Sequence, residues 1–168
     1  MDRQWYVLRS KPHKELILWR ELIARGFESF FPQLYVRPVN PRSRRIRPYF
    51  PGYLFLYLPQ EQVGTSTFHW MPFASGFVAF DGIAATVPAN LIDAIRRHVD
   101  EINARGEELF SNFKRGDAVV IEGGPFAGYE AIFDTRLSGA ERVRVLLKLL
   151  SVREVNLDLP ANLVRKKK

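Results

Sequence analysis

Among its 168 residues the chain has no cysteine, which excludes disulfide staples and thiolate metal sites. A reducing compartment suits such a sequence, and the cytoplasm is the expected one. Histidine is scarce as well. His13, His69 and His98 share no metal-ligand spacing, so neither a metal nor another cofactor is expected. Long apolar runs are also missing. The longest uncharged stretch, Gln62 to Phe80, is broken by Gly64, Pro72 and Gly76, so no membrane span is expected. The opening MDRQWYVLRS lacks the apolar core and basic flank of a signal peptide. Catalytic patterns are equally thin. The run Gly123-Gly124-Pro125-Phe126-Ala127-Gly128 lacks the Lys-Ser/Thr of a phosphate loop, the carboxylates are scattered, and no serine elbow is present. An enzyme is not expected.

Acid is absent from Ser29 to Gln60, a stretch that holds Arg37, Arg42, Arg44, Arg45 and Arg47. The last four residues, Arg165 to Lys168, are all basic, and these two clusters together exceed the net charge of +7. The basicity is therefore local and points to a polyanion near two places. Arg42, Arg44, Arg45 and Arg47 are candidates for neutralising phosphates, a sequence-independent contact. The plain alternative is a solvated hairpin tip.

What is abundant is aromatic: thirteen Phe, six Tyr and three Trp within 46% apolar residues. That supplies two compact cores with ring surface to spare. Trp5 to Arg9 reads as a strand. A helix is predicted between Pro12 and Gly26, with Leu16, Trp19 and Ile23 on one face and Leu18 and Leu22 beside them. Phe27 to Val36 and Tyr49 to Leu58 read as long strands joined by the arginine loop, and Gly76 to Phe80 as a third. Asn90 with Asp93 marks a second helix start, and Leu91, Ile95, Val99 and Ile102 its apolar face. This order makes an α+β layer, one antiparallel sheet with packed helices. The pattern breaks down from Asn103 to Phe113, which reads as a linker. Short strand-like runs follow at Ala118–Glu122, Tyr129–Asp134, Val143–Leu149 and Val152–Leu159, as in a small β-barrel.

Three segments in this order resemble the NusG family. They are Trp5-Tyr6-Val7-Leu8, the run Phe50-Pro51-Gly52-Tyr53-Leu54-Phe55, and Arg115 to Ile121 followed by Gly124-Pro125-Phe126-Ala127-Gly128, which is similar to a KOW motif. The resemblance implies an NGN-like domain over 1–104, a linker over 105–111 and an SH3-like KOW barrel over 112–168. It further implies a monomeric transcription elongation or antitermination factor that suppresses pausing or termination. Its N-terminal domain would dock on the RNA polymerase clamp, with Tyr6, Phe50, Pro51, Tyr53 and Phe80 as contact candidates. A partly exposed ring cluster is a normal anchor; the plain alternative is that these rings are core.

Val63-Gly64-Thr65-Ser66-Thr67 looks like the hydroxyl tract of the specialised RfaH-type branch, so Thr65, Ser66 and Thr67 are expected at the polymerase gate loop. Leu149-Leu150-Ser151-Val152-Arg153 stands where housekeeping members carry a Rho-binding turn, and Rho binding is accordingly not expected. Lys11 matches a basic position of the branch's DNA surface, near non-template strand or upstream duplex, whereas Pro72 stands at its base-reading arginine. By the same resemblance Phe126, Leu149 and Leu150 would contact ribosomal protein S10 and couple transcription to translation. The alternatives are a housekeeping NusG acting with Rho, and a KOW-type RNA-binding or ribosome-associated module. The branch is also known for a C-terminal domain that forms either a barrel or a helical hairpin. Both periods are present here. Val143, Val145, Leu147 and Leu149 alternate, yet Val143, Leu146, Leu147 and Leu150 share a helical face, as do Phe126, Tyr129 and Phe133. A hairpin would have to be covered by the N-terminal domain's apolar patch, masking the polymerase site.

Overall fold

The structure, a computed structural model, describes residues 2–35, 46–105, 130–134 and 137–151. Its centre is β1 (Arg3–Ser10), where four consecutive residues, Trp5 to Leu8, are buried. A strand buried on both faces needs such a run, because successive side chains point to opposite layers. Trp5 and Val7 join one apolar cluster, Tyr6 and Leu8 the other. β5 (Tyr53–Pro59) runs antiparallel beside it, with Val7 opposite Phe55. β2 (Glu28–Phe30) pairs with β5's far edge. β6 (Ala74–Phe77) and β9 (Thr86–Val87) both pair with β1. Two small hairpins accompany this sheet, β3 (Gln33–Tyr35) with β4 (Ile46–Pro48) and β7 (Ala79–Phe80) with β8 (Ile83–Ala84).

The long strands read from the sequence are shorter than expected. Pro32 lies between β2 and β3, since it has no N–H to donate to a ladder. The Pro51-Gly52 turn separates Tyr49 and Phe50 from β5, and Gly52 holds φ +86°, where glycine is favoured. The third strand begins at Ala74 and gives way at Val78 to β7.

One face of the sheet is closed by α1 (Glu15–Ala24) and the short α3 (Ser66–His69), which follows another single turn, α2 (Gln60–Val63). Leu18 and Leu22 of α1 are fully buried, together with Phe68 and Met71. The expected stripe is rotated: Ile23 is half exposed, and Leu16 and Trp19 are only partly covered. Glu15 takes the remaining inward position and accepts the Gly52 N–H at 2.9 Å, a carboxylate suited to a helix N-terminus.

The opposite face carries α4 (Ala89–Arg105), which buries Leu91, Ile95, Val99 and Ile102 as the spacing predicts. It starts at Ala89 rather than after Asn90, with the Pro88 carbonyl accepting the N–H groups of Leu91 and Ile92. It also runs beyond the expected break at Asn103. That side chain accepts the Tyr35 N–H and donates to the Gln33 carbonyl, both at 2.9 Å, which pins the last turn to β3. The rest of the 105–111 linker lies outside the described residues, as does the KOW-like segment from Arg115 to Gly128.

The described C-terminal residues are helical where strands are predicted. Glu130–Phe133 forms a 3-10 turn, and α5 (Gly139–Leu150) replaces the strand expected over Val143–Leu149. Two causes favour the helical period here. Ser138 and Glu141 form a capping box, Ser138 Oγ accepting the Glu141 N–H at 3.1 Å and Glu141 Oε1 accepting the Ser138 N–H at 3.2 Å. Val143 and Leu146 then bury against the N-terminal sheet, and such packing outweighs the strand preference of β-branched residues. The runs at Ala118–Glu122 and Val152–Leu159 lie outside the described residues.

Candidate functional site

The layer beneath α5 is the most distinctive surface of the molecule. Trp5, Val7, Phe30 and Phe55 of the sheet form one apolar cluster with Tyr49, Phe50 and α4. Ile132, Phe133, Val143 and Leu146 belong to the same cluster, while Tyr53, Tyr57, Phe80, Leu149 and Leu150 pack around it half-buried. A segment more than 80 residues away in sequence from Tyr49 thus completes this core.

Polar contacts orient the cover. The Tyr49 hydroxyl donates to the Ile132 carbonyl at 2.5 Å. Arg142, only 3% exposed, donates through Nε to the Tyr49 carbonyl at 2.9 Å and through Nη1 to the Leu137 carbonyl. Its guanidinium lies 4.2 Å from the centre of the Tyr49 ring, a cation–π contact strengthened by desolvation. Burial pushes the Arg142 guanidinium below its ordinary range, with Tyr49 opposing that shift. It pushes the Tyr49 phenol far up, so Tyr49 stays a neutral donor. His98 of α4 meets Phe133 edge-on at 5.3 Å and Tyr49 at 6.3 Å. At the helix start, a Cβ on Gly139 would stand 2.5 Å from Pro51 Cγ. Only glycine allows α5 to approach the Pro51 turn this closely.

The structure brings together four of the five expected clamp residues and separates the fifth. Phe50 is fully buried, Tyr53 and Phe80 are half-buried around the cluster, and Pro51 is exposed at its edge against Gly139. Tyr6 points to the opposite layer, where its ring meets Phe77 at 6.1 Å. The reason is pleat parity: Tyr6 and its neighbours Trp5 and Val7 cannot share a face. Tyr6 and Phe50 are core residues in this arrangement. Tyr49, Arg142 and His98 were not singled out from the sequence. An arginine inside an apolar helical stripe, one residue after a capping-box glutamate, was the available signal for Arg142.

The hydroxyl tract lies elsewhere, on the α3 side. Thr65 precedes α3 and donates its hydroxyl to the Gln62 carbonyl at 2.8 Å; Ser66 and Thr67 are exposed in the first turn. Trp70, 78% exposed, follows that helix with His69 packed edge-on against it. Lys11 is exposed at the end of β1 and linked by its N–H to the Phe73 carbonyl. Arg47 is exposed on β4 and lines a cleft of about 710 Å³ with Arg9, His13 and Tyr53. Arg42, Arg44, Arg45 and Phe126 lie outside the described residues, and Leu149 and Leu150 sit half-buried on α5.

No helix among the described residues is long and apolar enough to cross a membrane. A solved structure titled "Domain interaction in Thermotoga maritima NusG" is similar at 18% identity and a TM-score of 0.39, covering 76% of this chain and 71% of that one. The family model described as transcription termination factor nusG matches residues 3–96. That match spans more than half of the sequence, so the chain belongs to the NusG family, non-enzymatic transcription elongation and termination factors that bind RNA polymerase.

Proposed function

We propose that this chain is a specialised, RfaH-type elongation factor whose polymerase-docking face is masked at rest by its own C-terminal segment. The observation that carries this reading is the occupancy of one apolar sheet face by α5, a segment whose sequence fits a strand equally well. Phe50, Pro51, Tyr53 and Phe80 are assigned to the clamp contact; Pro51 is already exposed, and removal of α5 would uncover more of the three rings. Thr65, Ser66 and Thr67 are assigned to the gate loop, where exposed hydroxyls bond a partner's backbone without charge cost. Lys11 and Arg47, with Arg42, Arg44 and Arg45, would lie near non-template or upstream DNA through phosphate neutralisation. Once released, the 112–168 region would form the KOW barrel and present Phe126, Leu149 and Leu150 to ribosomal protein S10. A housekeeping role with Rho is the second reading, and a pull-down with Rho separates the two.

A lock on α5 tests the masking. The absence of native cysteine makes a Pro51→Cys/Gly139→Cys pair selective. Oxidation of the full chain should weaken binding to a paused elongation complex at least roughly tenfold, about 1.4 kcal/mol, with recovery on reduction. Equal affinity of the two redox forms, with the bridge verified by mass, would refute masking.

A further inference from the structure

We infer that His98 makes the packing of the C-terminal segment pH-sensitive, the neutral imidazole favouring the covered sheet face and the imidazolium the released one. This rests on the reading of α5 as a removable cover.

His98 belongs to α4, which stays with the sheet, and its half-buried ring is flanked by Phe133 of the part that would leave and by Tyr49, which stays. Phe133 stands edge-on at 5.3 Å and Tyr49, itself bonded to Ile132, at 6.3 Å. Nε2 is shielded from solvent and makes no hydrogen bond among the described residues. A neutral imidazole tolerates that position, because one ring nitrogen carries no hydrogen. An imidazolium does not, since both nitrogens must then donate and one would be a buried, orphaned N–H. Departure of the C-terminal segment would return that nitrogen to water.

The surrounding charges sharpen this balance. From α5 the Arg142 guanidinium opposes a proton on His98, and Arg47 adds a further cation beside Arg142. Asp134, next to the 3-10 turn, acts on Tyr49 and Arg142. Glu101 on α4 favours the proton, as does the Phe133 backbone from the segment that would leave, the latter opposing release. The Tyr49 phenol stays neutral and supplies no compensating charge. Burial outweighs the favourable contributions, and the packed imidazole lies below the ordinary value of 6.5. The sign follows from linkage. Above 6.5 both states are neutral and the packing is at full strength; as pH falls through 6.5 the released state takes up a proton first. The released-to-packed ratio then rises, approaching tenfold per pH unit until the packed imidazole also titrates.

The test uses the full chain with a donor and acceptor dye on Asn90→Cys and Lys148→Cys, both exposed positions, followed from pH 8 to pH 5.5. The expected result is a released fraction that rises below pH 6.5 and a flat profile when His98→Phe is added. Imidazole chemical shifts of unlabelled chain give a second readout, in which His98 of the packed protein titrates below the ordinary value of 6.5. A flat profile with His98 present, or the same slope with His98→Phe, overturns the inference. So does a His98 that titrates at 6.5 or above in the packed protein. If the Pro51–Gly139 bridge still suppresses polymerase binding in those cases, the cover survives and only its pH control is lost. Dyes that report a released segment at pH 8 in every variant sink both.

Discussion

The two faces of the central sheet are closed in different ways. On the α1 face the covering residues come from the segments adjoining β1 and β5, and the contact is apolar: Leu18, Leu22, Phe68 and Met71 against Tyr6, Leu54 and Leu56. On the α4 face the inner layer is equally apolar, but its last part arrives from residues 132–146 and is fastened by Arg142, Tyr49 and a close glycine contact. Apolar burial supplies adhesion without direction. Hydrogen bonds and a buried guanidinium add geometry and are lost together when the segment leaves. On the proposed function the first face is a permanent layer and the second a replaceable one, which a protein partner of similar apolar character would occupy instead.

The widest separation between the faces should come from matched truncations. Leu18→Ala opens a cavity in a layer that cannot leave without unfolding the domain, at a cost of about 2–5 kcal/mol. A fall in Tm on the order of 10 °C is expected by circular dichroism. Leu146→Ala removes the same atoms from a fully buried site, yet under the proposed masking α5 would detach instead. Its amides should lose hydrogen-exchange protection while the sheet melts within a few degrees of the unaltered chain, as expected of a unit with its own opening free energy. Equal losses of Tm would erase the distinction.

Arg142→Ala comes next. It withdraws donors from the Tyr49 and Leu137 carbonyls and the cation from the Tyr49 ring, costing the packed state about 2–3 kcal/mol. Affinity for the elongation complex should rise by more than roughly tenfold, with sheet stability preserved. Unchanged affinity would mean that α5 does not compete for the docking face. Gly139→Ala should act in the same direction by on the order of 1–2 kcal/mol, because its methyl meets the Pro51 ring and α5 must shift to make room.

Much of this molecule was legible from residues alone, for reasons that differ by region. β1 follows from a short apolar run rich in residues that favour strands, α4 from a clear helical period, and the helix stop from glycine at 26, whose φ of +84° in the structure suits that residue. The apolar patch was legible as composition but not as a face. Aromatic character alone groups Tyr6 with Phe50, whereas the pleat of β1 sends Tyr6 into the layer opposite Phe50. The apolar residues of 143–150 satisfy both periods, so periodicity alone leaves their state open. The Ser138–Glu141 capping box is the local signal for a helix, and contact with the apolar cluster of the N-terminal domain adds to it. The sequence offers His98 only as a histidine without metal-ligand spacing and does not mark Tyr49 or Arg142, because the three come from distant segments and acquire their roles only where those segments meet.

Tyr49→Phe is the smallest change and the one that best isolates a polar contribution. The ring remains, so the Arg142 contact at 4.2 Å and the edge-on approach of His98 persist. What disappears is one hydroxyl donating to the Ile132 carbonyl. In the packed state that acceptor loses its partner, whereas in the released state water replaces it, so the shift toward release should be about 1 kcal/mol. Hydrogen exchange at α5 should accelerate roughly fivefold under native conditions, and Leu8 and Leu54 amides of the sheet should not respond. A uniform acceleration across both layers would indicate that Tyr49 supports the whole fold, and that the second face is no more removable than the first.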